Sequence, residues 1–209
     1  VEAYKRLVEK WRCLNPTIKR TPVRILRELL VGSIFGIDTE RDAVKVTAFS
    51  LYLSMLDYVE PKAIWEKVKF PKLIYENGQE HDSGVNLYIS DAFNEQLPFN
   101  DYSFDIVVGN PPWSRQLPER ADVYCKKHNH PVAHEISQAF LWRASDLCKN
   151  GRIAMLATSK ILSNSEEPDK EFRKSFMYNN YVETIVDFSA LRRVNLFYNA
   201  VGPACAVFF

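Results

Sequence analysis

Phe104-Asp105-Ile106-Val107-Val108-Gly109-Asn110-Pro111-Pro112-Trp113 is the stretch that decides the fold. Residues 104–108 have strand character on both faces, and the prolines that follow must end the strand, because proline has no N–H for a ladder. Pro111 also biases Asn110 toward an extended backbone. The expected result is a stiff loop at a strand's carboxyl end. It presents the Asn110 amide and nearby carbonyls to a crevice, with the Trp113 ring behind as a flat stacking surface. Such a loop suits a planar amine, whose nitrogen is a poor nucleophile while its lone pair is delocalised. If the Asn110 side-chain oxygen and the Pro111 carbonyl accept the two amine hydrogens, the lone pair is freed to attack an electrophile. Positioning and acceptor dipoles, rather than a strong base, supply the help. Asn-Pro alone is also a common turn, and the context of strand then loop is what gives the motif weight.

Outward from this stretch, strands and helices alternate. Residues 1–12 read as a helix with Val1, Tyr4, Leu7, Val8 and Trp11 on one face, and Asn15-Pro16 breaks it. Pro22 opens a second, basic helix to about Leu30. Ser33–Ile37 reads as a short buried strand. Arg41–Leu56 reads as a helix with Val44, Ala48, Leu51 and Met55 on one stripe. Leu87–Ile89 is a further strand. Residues 113–134 read as a long basic loop, 135–148 as a helix, Ile153–Ala157 as a strand after the Asn150-Gly151 turn, and 167–179 as a helix. Tyr181–Phe188 and Ala200–Phe209 complete the set as strands. Short apolar strands alternating with helices predict an α/β, doubly wound, mainly parallel sheet over residues 1–209, with functional loops at the carboxyl ends of its strands.

The chain has 209 residues, 46% apolar and 13% aromatic, enough for one substantial core and unlike a disordered segment. Lys+Arg number 27 against 26 Asp+Glu, so net charge neither demands nor excludes nucleic acid. Cys13, Cys125, Cys148 and Cys205 form no C-x-x-C pair and read as reduced cytoplasmic thiols. No apolar run reaches membrane-spanning length.

The tetrapeptide 110–113, its strand and its neighbours resemble the N6-adenine-specific DNA methyltransferases, especially the large restriction–modification type. The resemblance covers nearly the whole chain. It implies a Rossmann-like fold and S-adenosylmethionine as cofactor. It further implies methyl transfer to the N6 amino group of adenine in double-stranded DNA, within a restriction–modification or phage-defence system. Asn110, Pro111, Pro112 and Trp113 take the catalytic positions by that resemblance. Asp38, in Gly36-Ile37-Asp38-Thr39-Glu40, takes the place of the acid that binds the cofactor's ribose hydroxyls, with Thr39 beside it. Asp91 and Ala92, in Ser90-Asp91-Ala92-Phe93, take the places that meet the cofactor's adenine. Phe197, with Tyr198 second, takes the place of the aromatic beneath the flipped base. The local alternatives are a helix cap at Thr39, an acidic first turn at Glu40 and Asp42, a turn aspartate at 91 and a core aromatic at 197.

One departure stands out. The family's glycine-rich cofactor loop has no counterpart among the seven glycines. Val1–Leu7 resembles the helix just after that loop, so the first strand and the loop are expected to be missing. Residues 1–209 alone are then expected to be inactive. Sequence specificity is expected from a recognition domain or subunit outside the chain.

Cys125, His128, His130 and His134 have the composition of a metal cluster, but C-x2-H-x-H lacks a second paired cysteine, and no metal is expected there. Arg115, Arg120, Lys126 and Lys127 in the same stretch can clamp a phosphate backbone or simply face solvent. Two competing functions remain: methylation of a protein glutamine amide or an RNA base by the same chemistry, and a methyltransferase-like module that binds nucleic acid without catalysis.

Overall fold

The computed structural model describes residues 1–60, 69–76, 84–194 and 203–209, with backbone alone at 192–194. It divides into two compact units, Val1–Asn94 and Glu95–Phe209.

In the first unit, α1 (Glu2–Leu14), α2 (Val23–Ser33) and α3 (Arg41–Leu56) pack with a small sheet of β1 (Gly36–Asp38), β2 (Ile74–Tyr75) and β3 (Leu87–Ile89). The strand order is β1-β3-β2, and every pairing is parallel. The core stripe of α3 is the expected one: Val44, Ala48, Leu51 and Met55 are all buried. Tyr4 and Val8 bury the inner face of α1, and the Tyr4 hydroxyl donates to the Leu26 carbonyl at 3.0 Å, tying α1 to α2. Burial pushes the Tyr4 phenol well above its ordinary pKa.

The strand expected at Ser33–Ile37 begins three residues later. Ser33 stays in α2, whose last turn is closed by the Ile34 N–H on the Leu30 carbonyl at 3.3 Å. The fully buried Asn86 then donates its side-chain amide to the carbonyls of Val31 and Ile34, each at 2.8 Å. These are helix-end carbonyls without a partner inside the helix. The Asn86 carbonyl accepts from the Gly36 N–H at 2.8 Å, so one residue ends α2 and starts β1.

The second unit is built on β4 (Ile106–Gly109), β5 (Arg152–Thr158), β6 (Thr184–Asp187) and β7 (Ala204–Phe208), in the order β4-β5-β7-β6. β4 and β5 run parallel, while β7 is antiparallel to β5 and β6. Its helices are α4 (Glu119–Lys127), α5 (Ile136–Leu147), the short α6 (Lys160–Ser163) and α7 (Glu167–Asn179). Leu141 and Trp142 from α5 and Phe172 and Phe176 from α7 pack on Ile153, Met155, Ala157 and Val207 of the sheet. The Trp142 and Phe176 rings meet edge to face at 5.1 Å.

Residues 113–134 are not one loop: α4 occupies their middle. Pro118 precedes it, Glu119 and Asp122 lie in its first turn, and Lys126 and Lys127 lie in its last, all favourable placements for a helix. Ala121, Tyr124 and Cys125 form a buried stripe. Tyr124 docks the helix on α5. Its ring lies 5.0 Å from the Arg143 guanidinium, and its hydroxyl donates to Asp146 Oδ2 at 2.5 Å.

His130 stacks on Trp142 at 4.4 Å between centroids, and its Nε2 lies 2.8 Å from the same Asp146 oxygen. Burial pushes the Asp146 carboxyl up, but the His130 and Tyr124 hydrogen bonds outweigh it and hold the group below the ordinary carboxylate range. A depressed folded value means that stability is present above the unfolded pKa and is lost as pH falls through the folded one. We therefore expect Asp146→Asn to cost about 1–3 kcal/mol near neutral pH. In urea titrations from pH 7 to pH 3 the deficit should shrink below about pH 4; a deficit that stays constant would remove Asp146 from the acid response.

Among the described residues, β1 and β4 are each paired on one side only. Ile106 and Val108 on β4 are 68% and 72% exposed. Such an edge, apolar and free of charge or proline, is a template for another strand.

Candidate functional site

The Asn110–Trp113 loop leaves the carboxyl end of β4. Its takeoff is fixed by the parallel pairing of β4 with β5, in which Gly109 stands opposite Met155. Pro111 is buried and Trp113 half-buried, whereas Asn110 and Pro112 are exposed. The chain thus anchors the loop by its first proline and its tryptophan and leaves the Asn110 amide at the surface. Beyond Trp113, the Ser114 carbonyl accepts from the Ile136 N–H at 3.2 Å, and Ser114 Oγ accepts from the Gln116 N–H at 3.0 Å.

β5 ends at the same rim, with Thr158 and Ser159 following its pairing with β4. Ser159 Oγ donates to Asp187 Oδ1 at 2.7 Å, and the same oxygen takes the Ser189 hydroxyl at 2.6 Å and the Ser189 N–H at 3.0 Å. The Ser189 and Ser159 hydrogen bonds hold the Asp187 carboxyl below its ordinary range.

In the first unit, Asp38 ends β1 and Asp91 lies two residues past β3, on adjacent parallel strands paired Asp38↔Ile89. The structure therefore brings these two acids to one rim. Each has one oxygen committed to local backbone: Asp38 Oδ1 accepts from the Glu40 N–H and Asp91 Oδ1 from the Phe93 N–H, both at 2.8 Å. The Asp38 contact leads into α3, whose N-cap is Glu40 and not Thr39. Thr39 is exposed, Ala92 half-buried. Two carboxylates held at neighbouring strand tips, each with an oxygen left for a ligand, fit the hydroxyl and amino groups of a nucleoside. Phe197 and Tyr198 lie outside the described residues.

Against this geometry stands a family match. A model described as Eco57I restriction-modification methylase matches residues 32–194. The chain belongs to this family.

A curated relative, the type II restriction enzyme and methyltransferase RM.Eco57I of Escherichia coli, is 25% identical over 198 residues. That alignment covers 88% of this methylase chain and 19% of the relative. Among solved structures, the methyltransferase subunit of a type I restriction-modification system from Streptococcus thermophilus matches with TM-score 0.52 and 19% identity. It covers 85% of this chain and 39% of that one, and the likeness is one of fold. The Eco57I-type chain thus spans less than half the length of either.

Other expectations fare differently. In the former loop, Lys126 pairs with Asp122 at 2.6 Å, Lys127 with Glu95 at 2.8 Å and Arg115 with Glu135 at 3.5 Å, so much of that basic charge is balanced within the methylase fold. Cys125 is buried in α4 and its thiol is pushed up to about 12 by burial, His128 Nε2 lies 2.8 Å from Glu95, and His130 belongs to the Asp146 network. A polar cavity of about 730 Å³, lined by His128, His130, Asp146, Lys149 and Arg152, sits at the amino end of β5, the opposite end from Asn110. The Asn110–Trp113 loop stands instead at the carboxyl end of β4. Sequence reading missed Glu135, Ser159 and Asp187. Asp187 carried the same signal as Asp38, an acid at a strand tip, while Glu135 carried none.

Proposed function

We propose that this chain carries the catalytic part of an S-adenosylmethionine-dependent enzyme that methylates adenine N6 in double-stranded DNA. We assign it the Rossmann-like methyltransferase fold and a cytoplasmic restriction–modification role. Family membership supports methyl transfer, and the observation that supports the amine acceptor is the rim loop itself, with Pro111 buried and Asn110 exposed at the tip of β4.

Asn110 Oδ1 and the Pro111 carbonyl accept the hydrogens of the target amine, fixing its orientation and releasing its lone pair. Trp113 stacks on the base once it has left the duplex, offsetting an unpairing cost of a few kcal/mol. Asp38, with Thr39 beside it, binds the cofactor's ribose hydroxyls, while Asp91 and the Ala92 N–H bind its adenine. S-adenosylmethionine, when bound, supplies an electrophilic methyl group. Phe197 is assigned to the far face of the base. Recognition of the DNA sequence is assigned to a domain or subunit outside residues 1–209.

The test is methyl transfer from radiolabelled donor by the intact protein, offered duplex DNA, RNA and a glutamine-containing peptide, followed by nucleoside analysis. N6-methyladenine from DNA is expected; label in peptide or RNA, or none at all, would discard the assignment. A second expectation concerns Trp113→Ala. Loss of one stacking ring costs about 1–3 kcal/mol, which is roughly a 5- to 150-fold weaker hold on the flipped base. A 2-aminopurine at the target position should report it as reduced fluorescence on binding, and an unchanged signal would release Trp113 from this role.

A further inference from the structure

Glu135 is the residue before α5, and its position invites the reading of a helix cap. It makes no side-chain capping bond. Its side chain is only 5% exposed, and Oε1 is buried with no hydrogen-bond partner among the described residues. What faces that oxygen is the Arg115 guanidinium, Nε at 3.5 Å, on a side chain that is 66% exposed. Capping is served better by the shorter Ser, Thr, Asp or Asn, so it does not explain a buried glutamate here. A buried carboxylate is costly unless a cation accompanies it.

The arrangement at stake is the rim loop. Arg115 lies two residues past Trp113. Its neighbour Ser114 gives its carbonyl to the N–H of Ile136, the neighbour of Glu135, at 3.2 Å. An ion pair and a backbone hydrogen bond in adjacent residues therefore stitch the downstream end of the loop to the first turn of α5. The upstream end is set separately by the pairing of Gly109 with Met155 across β4 and β5 and by the burial of Pro111. We infer that Glu135 is a positioning residue for the Asn110–Trp113 loop, acting through Arg115. It touches no substrate; it holds the tryptophan end of the loop so that Asn110 and Trp113 keep their spacing. Its effect on turnover rests on the function proposed above, whereas its effect on loop order does not.

Glu135→Gln keeps the shape and removes the charge, Arg115→Ala removes the other partner, and Arg115→Lys restores a cation. All are to be made in the intact protein, with the double variant. We expect kcat for DNA methylation to fall roughly 10- to 100-fold in Glu135→Gln and Arg115→Ala, with KM for the methyl donor within twofold. The double variant should be no worse than either single one, because both remove one interaction. Arg115→Lys should recover part of the loss. Hydrogen exchange should quicken over residues 110–116 while the rest of the protein and its Tm hold. A kcat within twofold of the parent overturns the inference, and so does faster exchange throughout with a falling Tm, which is plain destabilisation. If the parent protein methylates no DNA, the function reading is what fails; the positioning claim is then decided by exchange alone, local quickening upholding it and unchanged exchange ending it.

Discussion

Asn110→Ala is expected to lower kcat for methyl transfer by roughly 10³-fold, to the limit of detection, with the protein still folded. The magnitude follows from removing one preorganised polar partner at a reacting centre. The fold survives because Asn110 is exposed at the end of β4, and its buried neighbour Pro111 supplies the packing. A surface side chain of this kind moves stability by about 0.5 kcal/mol or less. Asn110→Asp sharpens the test: it keeps the acceptor oxygen and discards the amide N–H, so it should lose less than the alanine variant. Methyl-transfer rates beside thermal unfolding curves for both variants give the answer. Near-normal turnover in Asn110→Ala ends the assignment of the loop, and a collapsed Tm means that Asn110 is structural.

A large loss of stability is expected at Gly151. A Cβ there would meet the Asp105 carbonyl oxygen at 2.1 Å and the Cys148 sulfur at 2.6 Å. The first neighbour is backbone and cannot swing aside. The Arg152 N–H donates to that same Asp105 carbonyl at 2.9 Å, starting the β4–β5 ladder. Gly151→Ala must therefore pull the two strands apart where they begin, at a cost of roughly 3 kcal/mol. Because β4 carries the rim loop, activity should fall with stability, whereas in Glu135→Gln the two should separate. Urea unfolding of the variant is the measurement; a midpoint equal to the parent's would mean that the turn has room the structure does not show.

Much of this was legible where the signal is local and repeated. α3 spans Arg41–Leu56 and α7 spans Glu167–Asn179, as the sequence predicts, because more than three turns average over single-residue noise. α4 was not legible: its buried stripe of Ala121, Tyr124 and Cys125 is diluted by five charged residues in nine, and what stabilises it is docking on Arg143 and Asp146. The direction of β7 was equally hidden, since alternation along a strand carries no sense of parallel or antiparallel. β2 is two residues long and exists by pairing with β3. At the site, Asn110-Pro111-Pro112-Trp113 announces itself through stereochemistry contained within four residues. Glu135 depends on a partner brought to it by the fold, and nothing in its immediate sequence marks it; Asp187 shows as an acid at a strand tip, but its bond to Ser159 does not.

Asn86 has a consequence for whatever meets Asp38 and Asp91. By bridging the end of α2 to the start of β1 while standing at the head of β3, it leaves three-residue strands with little slack between rivet and tip. The two carboxylates are thereby spaced when the chain folds. A ligand spanning them would find its seat rigid in advance, and its affinity would carry only a small penalty for freezing the protein.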